Sequence, residues 1–215
     1  LFYVDKTLEN GWSRAVLMNF LDTQLYAAQG KAITNFSKYL PEPMSDLAQQ
    51  TLKDPYNFDF LTMRENYNER ELEDALTKNI TRFLLELGSG FAFVGRQVRL
   101  EINGNEFFID LLFYHLKLRC YVVIELKVTE FKPEYLGQLG FYVTAINKQM
   151  KRKEDSPTIG LIICKTKDRI IAEYALEGTN QPLGISQYDL VKIMPDELKN
   201  TLPSIEEIEN KLNEE

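Results

Sequence analysis

Cysteine, histidine and tryptophan are scarce in these 215 residues: two, one and one. Cys120 and Cys164 stand far apart in apolar, strand-like runs without a metal-binding spacing. That argues against a disulfide scaffold or zinc site and for two buried free thiols in a reducing compartment. With His115 alone, catalytic pairs that need histidine are disfavoured. No run approaches the roughly 20 apolar residues that span a bilayer, and no charged-then-apolar signal segment opens the chain. No membrane partner and a cytoplasmic location are therefore expected. Positive charge is in short supply too: 25 Lys and Arg against 32 Asp and Glu leave a net charge of −7. This balance argues mildly against a nucleic-acid partner, because phosphate binding leans on Lys and Arg.

The remainder is ordinary for a soluble folded protein, with 44% apolar and 27% charged residues. The length suits one large domain, or a domain with an appendage. Charge is segregated along the chain: Glu206, Glu207, Glu209, Glu214 and Glu215 crowd the end, while Lys148, Lys151, Arg152 and Lys153 form a basic cluster. Leu1 in place of an initiator methionine suggests a fragment of a longer protein, whose N-terminal part is expected to supply further basic surface.

From Thr7 to about Gln29, apolar residues recur at helical spacing, with Gly30 as a stop. Residues 35–66 hold Pro41, Pro43 and Pro55 and read as a connector whose aromatics, around Tyr56, Phe58 and Phe60, pack on the following core. One long helix is predicted over 69–87, with Leu72, Leu76, Ile80, Phe83, Leu84 and Leu87 as its buried stripe and Gly88 and Gly90 at its end. Three strands follow, at 91–102, 106–115 and 119–128, the first two joined by the hairpin signal Asn103-Gly104, and all three are expected to pair antiparallel. A helix over 133–147, a buried strand at 158–164, a helix over 168–176 and an edge strand at 183–190 complete the pattern.

The charges inside these strands carry the chemistry. Side chains alternate along a strand, so Glu125 and Lys127 share a face opposite Val122, Ile124, Leu126 and Val128, and Asp110 lies in the apolar strand before. Burying such groups costs several kcal/mol unless they are paired or hold a metal, and two acids suit a hard cation with oxygen ligands. A divalent metal site is the reading. Five positions after Asp110, His115 falls on the other face, in a structural or substrate-side place.

The order Asp110, then Glu125-x-Lys127, then a helix with Gln138-x-x-x-Tyr142 resembles the PD-(D/E)XK nuclease superfamily. More closely, Phe83 to Gln97, Asp110-Leu-Leu-Phe-Tyr-His115 and Ile124-Glu-Leu-Lys127 resemble the YhcG family, bacterial proteins with a C-terminal nuclease domain. Ile109 stands where the superfamily name has proline, a departure that leaves the acids and the lysine in place. The resemblance implies an α/β protein with a restriction-endonuclease-like core of helix, three strands, helix and strand, preceded by an N-terminal helical segment. The expected division is a helical tail of an N-terminal region at 1–40, a connector at 41–66, the nuclease domain at 67–203 and an acidic tail at 204–215.

The resemblance further implies that Asp110 and Glu125 bind Mg²⁺ or Mn²⁺ with the backbone carbonyl of Leu126, and that a carboxylate from the preceding helix, Glu73 with Glu69 in reserve, joins through water. Lys127 would orient the attacking water or steady the phosphate charge, and Gln138 and Tyr142, on one helical face, would flank the site. Arg96, Arg99, Arg119, Lys148, Lys151 and Arg152 are candidate nucleic-acid contacts, although surface ion pairing accounts for any one of them alone. The expected function is a metal-dependent nuclease acting on DNA, in DNA processing or defence against mobile elements, with RNA still open. The alternative is a non-catalytic nucleic-acid or protein interaction module that keeps the fold. A homodimer is an expectation from geometry, because cutting both strands with one site per chain takes two chains or two events.

Overall fold

A computed structural model of the chain describes residues 1–22, 24–190 and 193–194. The expected acidic tail at 204–215 and the end of the unit assigned to 67–203 lie outside the described residues. In chain order the elements are α1 (Phe2–Asn10), α2 (Arg14–Asp22), α3 (Leu25–Ala28), β1 (Ile33–Thr34), α4 (Phe36–Tyr39), α5 (Met44–Thr51), β2 (Tyr56–Asn57) and β3 (Met63–Arg64). There follow α6 (Glu69–Lys78), α7 (Ile80–Leu87), β4 (Phe91–Ile102), β5 (Asn105–His115), β6 (Cys120–Glu130), α8 (Tyr135–Gln149), β7 (Ile159–Thr166), α9 (Arg169–Glu177), β8 (Leu183–Asp189) and β9 (Ile193–Met194).

Asn103 and Gly104 both adopt positive φ, 51° and 77°, and turn β4 tightly into β5, with Ile102 paired to Asn105. β5 and β6 are antiparallel, as expected, whereas β7 runs parallel to β6 and β8 parallel to β7 after the crossovers through α8 and α9. The sheet order is β1-β8-β7-β6-β5-β4, with β2 also on β8. The strand expected at the edge is thus covered: β1, just before the proline-containing stretch, pairs with it antiparallel, and β2, from within that stretch, pairs with it parallel. Two-residue strands leave no alternation in a sequence, which is why they were not predicted.

β6 is buried on both faces. Val122, Ile124 and Leu126 pack with Leu72, Leu76 and Phe83 on one side. Val123 packs with Leu139, Val143 and Ile146 of α8 on the other. The aromatics of residues 56–60 do pack on this core: Phe58 stacks on Tyr188 at 5.1 Å and meets Phe83 edge-on at 5.8 Å. Among the described residues no helix is long and apolar enough to cross a membrane, and both cysteines are free and buried.

Two helical predictions need correction. The helix expected over 7–29 is three short ones, interrupted by Gly11 at φ 63° and Gln24 at φ 51°. The helix expected over 69–87 breaks at Asn79, where φ is −105° and ψ 33°. Its side-chain amide donates to the Ala75 carbonyl at 3.0 Å, competing with the helical ladder while the apolar stripe continues across the break.

Candidate active site at the fork between two strands

β5 and β6 pair only from Leu111 with Ile124 to His115 with Cys120. Beyond Ile124 the ladder between them ends, although β5 continues along β4 and β6 along β7. Asp110 and Glu125 stand at this fork. The backbone N–H of Leu126 donates to Asp110 Oδ2 at 2.9 Å, so the carboxylate takes the bond a neighbouring strand would have supplied. Glu125 is buried, and its Oε1 accepts from Lys127 Nζ at 3.2 Å while Oε2 has no hydrogen-bond partner.

Helices from both faces close on the fork. The N-terminal half of α6 brings Glu69, whose carboxylate lies 3.4 Å from Lys127 Nζ. One turn later it brings Glu73, which accepts from the Gln97 side chain and lies 3.8 Å from the Arg96 guanidinium. The two acids that the sequence left as alternatives therefore do different things: Glu69 faces the lysine and Glu73 faces Gln97 and Arg96. From α8, the Gln138 amide donates to the Tyr142 hydroxyl at 3.1 Å, and the Tyr135 ring lies 5.1 Å under Lys127 Nζ.

Electrostatics follow from this crowding. Burial, then the Asp110 charge, push Glu125 up to about 7 despite Lys127. Burial likewise raises Asp110, against the bond from Leu126. Burial raises Glu73, and the Gln97 bond opposes it. Burial works against the Lys127 charge, but Glu125 and Glu69 more than offset it and hold the ammonium above its ordinary value. Tyr142 is raised chiefly by burial, with Glu125 and Asp110 adding to it, which places its hydroxyl within their electrostatic reach.

Acids that resist ionisation at one spot, with an unpartnered buried oxygen, are the donor set a divalent cation satisfies. Among the described residues no three His, Cys, Asp or Glu side chains cluster as ligands, so the fit rests on two carboxylates and a backbone carbonyl rather than an all-side-chain cage. A divalent cation that keeps several waters of its own fits such a set.

The expected cationic contacts scatter. Arg96 is at the site, paired with Asp74 as well as near Glu73. Arg99 pairs with Glu101 and Glu106 along the β4–β5 hairpin. Arg119 is exposed just before β6, about 20 Å along the strand from Glu125. Lys148 lies near the far end of α8, about 15 Å from Gln138. Lys151 Nζ donates to the Asp155 carbonyl at 2.9 Å, and Arg152 follows in the same exposed turn. His115 is buried away from the fork, its Nδ1 accepting from Leu118 N–H at 3.1 Å. Gln97, Tyr135 and the Lys127 partner Glu69 complete the site, and only Glu69 had been singled out. Gln97 closes one of the stretches that carry the family resemblance, yet nothing local marks it as touching Glu73.

An acid inside one strand, Glu-x-Lys on the next where the two part, and helices over both faces are the arrangement of a PD-(D/E)XK domain on a restriction-endonuclease-like core. The chain belongs to the family described as the YhcG PDDEXK nuclease domain, whose model matches residues 49–203. The YhcG protein of Escherichia coli (strain K12) is 36% identical over 214 residues, which take in 96% of this chain and 57% of that protein. The chain thus spans a little over half the length of this curated relative. Two solved structures are distant likenesses. A repair endonuclease from Pyrococcus abyssi shares 18% identity over 60% of this chain and 50% of that one, with a TM-score of 0.37. EndoMS in a complex with dsDNA shares 15% over 59% and 45%, with a TM-score of 0.38.

Proposed function

We propose that this chain is a metal-dependent nuclease that hydrolyses phosphodiester bonds in DNA, with residues 67–203 as the nuclease unit, 1–40 as the helical tail of an N-terminal region and 41–66 as the connector that lends the unit its β2 strand. The observation that carries the reading is the fork: a half-buried Asp110 and a buried Glu125 side by side with Lys127, with Glu125 Oε2 unsatisfied. Asp110, Glu125 and the Leu126 carbonyl would hold Mg²⁺ or Mn²⁺, with Glu73 through water. A bound divalent cation lowers the pKa of its water and offsets charge on the phosphate.

The other steps belong to the chain's residues. Lys127, kept charged by Glu125 and Glu69, is suited to neutralise phosphate charge and orient water, and unsuited to take a proton as a base. The Leu126 N–H fixes Asp110 through Oδ2, while Oδ1 lies 3.3 Å from Gln97 Nε2. Gln138 and Tyr142 line the α8 side, where the amide and hydroxyl can steady a phosphate oxygen. Arg96 extends the positive surface beside Glu73. The remaining candidates, Arg99, Arg119, Lys148, Lys151 and Arg152, would touch flanking backbone and leave the reaction alone.

The test is cleavage of labelled single-stranded, double-stranded and branched DNA and of RNA with Mg²⁺ or Mn²⁺. Lys127→Ala and Glu125→Ala are each expected to lower the rate by about 10²-fold or more, the loss typical of removing one transition-state charge contact. Cleavage at the wild-type rate in both variants would overturn the assignment. The net charge of −7 favours a second reading, a non-catalytic nucleic-acid or protein interaction module, which predicts no cleavage in wild type and variants alike.

A further inference from the structure

We infer that Gln97 is a positioning residue that sets the Glu73 carboxylate against Asp110, a role that rests on the reading of the fork as a metal site. Gln97 sits inside β4 with φ at 45°, in the left-handed region that residues other than glycine, asparagine and aspartate avoid. The ladder between β4 and β5 slips between Phe93 and Gly95, then steps from Arg96 opposite Leu111 to Val98 opposite Ile109, leaving Gln97 and Asp110 out of it. Strain of this kind persists where surrounding contacts hold it, and it gathers at sites.

What holds it is the side chain. A carboxamide nitrogen carries two N–H donors. Gln97 Nε2 gives to Glu73 Oε2 on α6 and lies 3.3 Å from Asp110 Oδ1 on β5. One neutral group therefore ties acids from two elements together without bringing a charge that would compete with a cation. Glu73 is only 3% exposed, and its other oxygen, Oε1, has no hydrogen-bond partner. Asp110 is held from its far side by the Leu126 N–H. Gln97 thus anchors one oxygen on each acid and fixes the direction of Glu73 Oε1, which lies 3.8 Å from Arg96 Nε and accepts no hydrogen bond, as partners behind a ligand usually do. Arginine or lysine at position 97 would instead neutralise the acids, and an apolar side chain would leave Glu73 to the Arg96 guanidinium alone, with nothing tying it to Asp110.

Glycine at this position removes the amide and relaxes the backbone at once, which separates anchoring from folding. The experiment measures Mn²⁺ affinity by electron paramagnetic resonance on the whole chain, with a thermal melt of each variant. Wild type, Gln97→Gly, Glu73→Gln, the double variant and Asp110→Asn are compared. Gln97→Gly is expected to melt at or above the wild-type temperature while its Mn²⁺ affinity falls about tenfold. In the Gln97→Gly background, Glu73→Gln should cost much less affinity than it does in wild type, a coupling that a purely structural glutamine would not produce. Unchanged affinity in Gln97→Gly, with binding still abolished by Asp110→Asn, would overturn the role of Gln97 and leave the metal site standing. A large fall in melting temperature, or additive losses in the double variant, would overturn it as well. No Mn²⁺ binding by wild type would remove the metal site and the inference with it.

Discussion

Glu125 is 2% exposed and sits beside a second acid, so its charge is costly in the metal-free protein. Below its ordinary value of 4.5 the group is protonated in both folded and unfolded chains, and from there to about 7 only the folded chain keeps the proton. Its contribution to stability is therefore full at the acid end and is lost as pH rises to about 7. The interval corresponds to on the order of 3 kcal/mol. The metal-free protein is expected to melt at a lower temperature at pH 8 than at pH 6, Glu125→Gln to flatten that dependence, and Mn²⁺ to raise the melting temperature more at pH 8. A wild-type melting profile flat between pH 6 and 8 would contradict it. At this scale Asp110, Glu125 and Lys127 were legible, because an ionisable side chain in an apolar strand is anomalous wherever the strand lies. Gln97 was not, since its partner Glu73 is 24 positions away on a helix and its dihedral leaves no mark in the sequence.

α6 owes its start to Asn68, whose side chain accepts from the Glu71 N–H at 3.0 Å while Glu71 Oε2 accepts from the Asn68 N–H at 3.0 Å. That first turn carries Glu69, and the next carries Glu73. Asn68→Ala is expected to cost about 1 kcal/mol in urea unfolding. It should also weaken cleavage by loosening both acids. A variant that lost stability with no change in rate would separate the cap from the site. The helix itself was legible from its apolar stripe, and so was the common face of Gln138 and Tyr142 on α8, since four-residue spacing is a property of any helix. The break at Asn79 was hidden because Ile80, Phe83, Leu84 and Leu87 keep a helical spacing across it.

On the scale of the whole molecule, the N-terminal segment divides into parts of unequal weight. α1 buries none of its residues, so removing residues 1–11 should move the melting temperature little. Removing residues 1–35 also takes β1 off β8, together with the buried Asn35, whose side chain accepts from the Leu183 N–H at 2.8 Å and donates to Thr179 Oγ1 at 2.8 Å. Each buried group left without its partner costs about 1–3 kcal/mol, so this truncation should destabilise the sheet severely. Equal melting of the two truncated chains would refute the distinction. The sequence by itself determined the succession of helix, three strands, helix and strand, the tight turn at Asn103-Gly104, and the acids and lysine of the site. These rest on local physics: the two periodicities of backbone geometry, the dihedral tolerance of turn residues and the cost of burying charge. Only the tertiary structure decided that β1 and β2 cover β8, that β5 and β6 part at Asp110 and Glu125, and that Glu69 meets the lysine while Glu73 meets Gln97. Each of those depends on hydrogen bonds and contacts between segments far apart in the chain, whose pairing is set by how the faces pack and not by any pattern within the segments themselves.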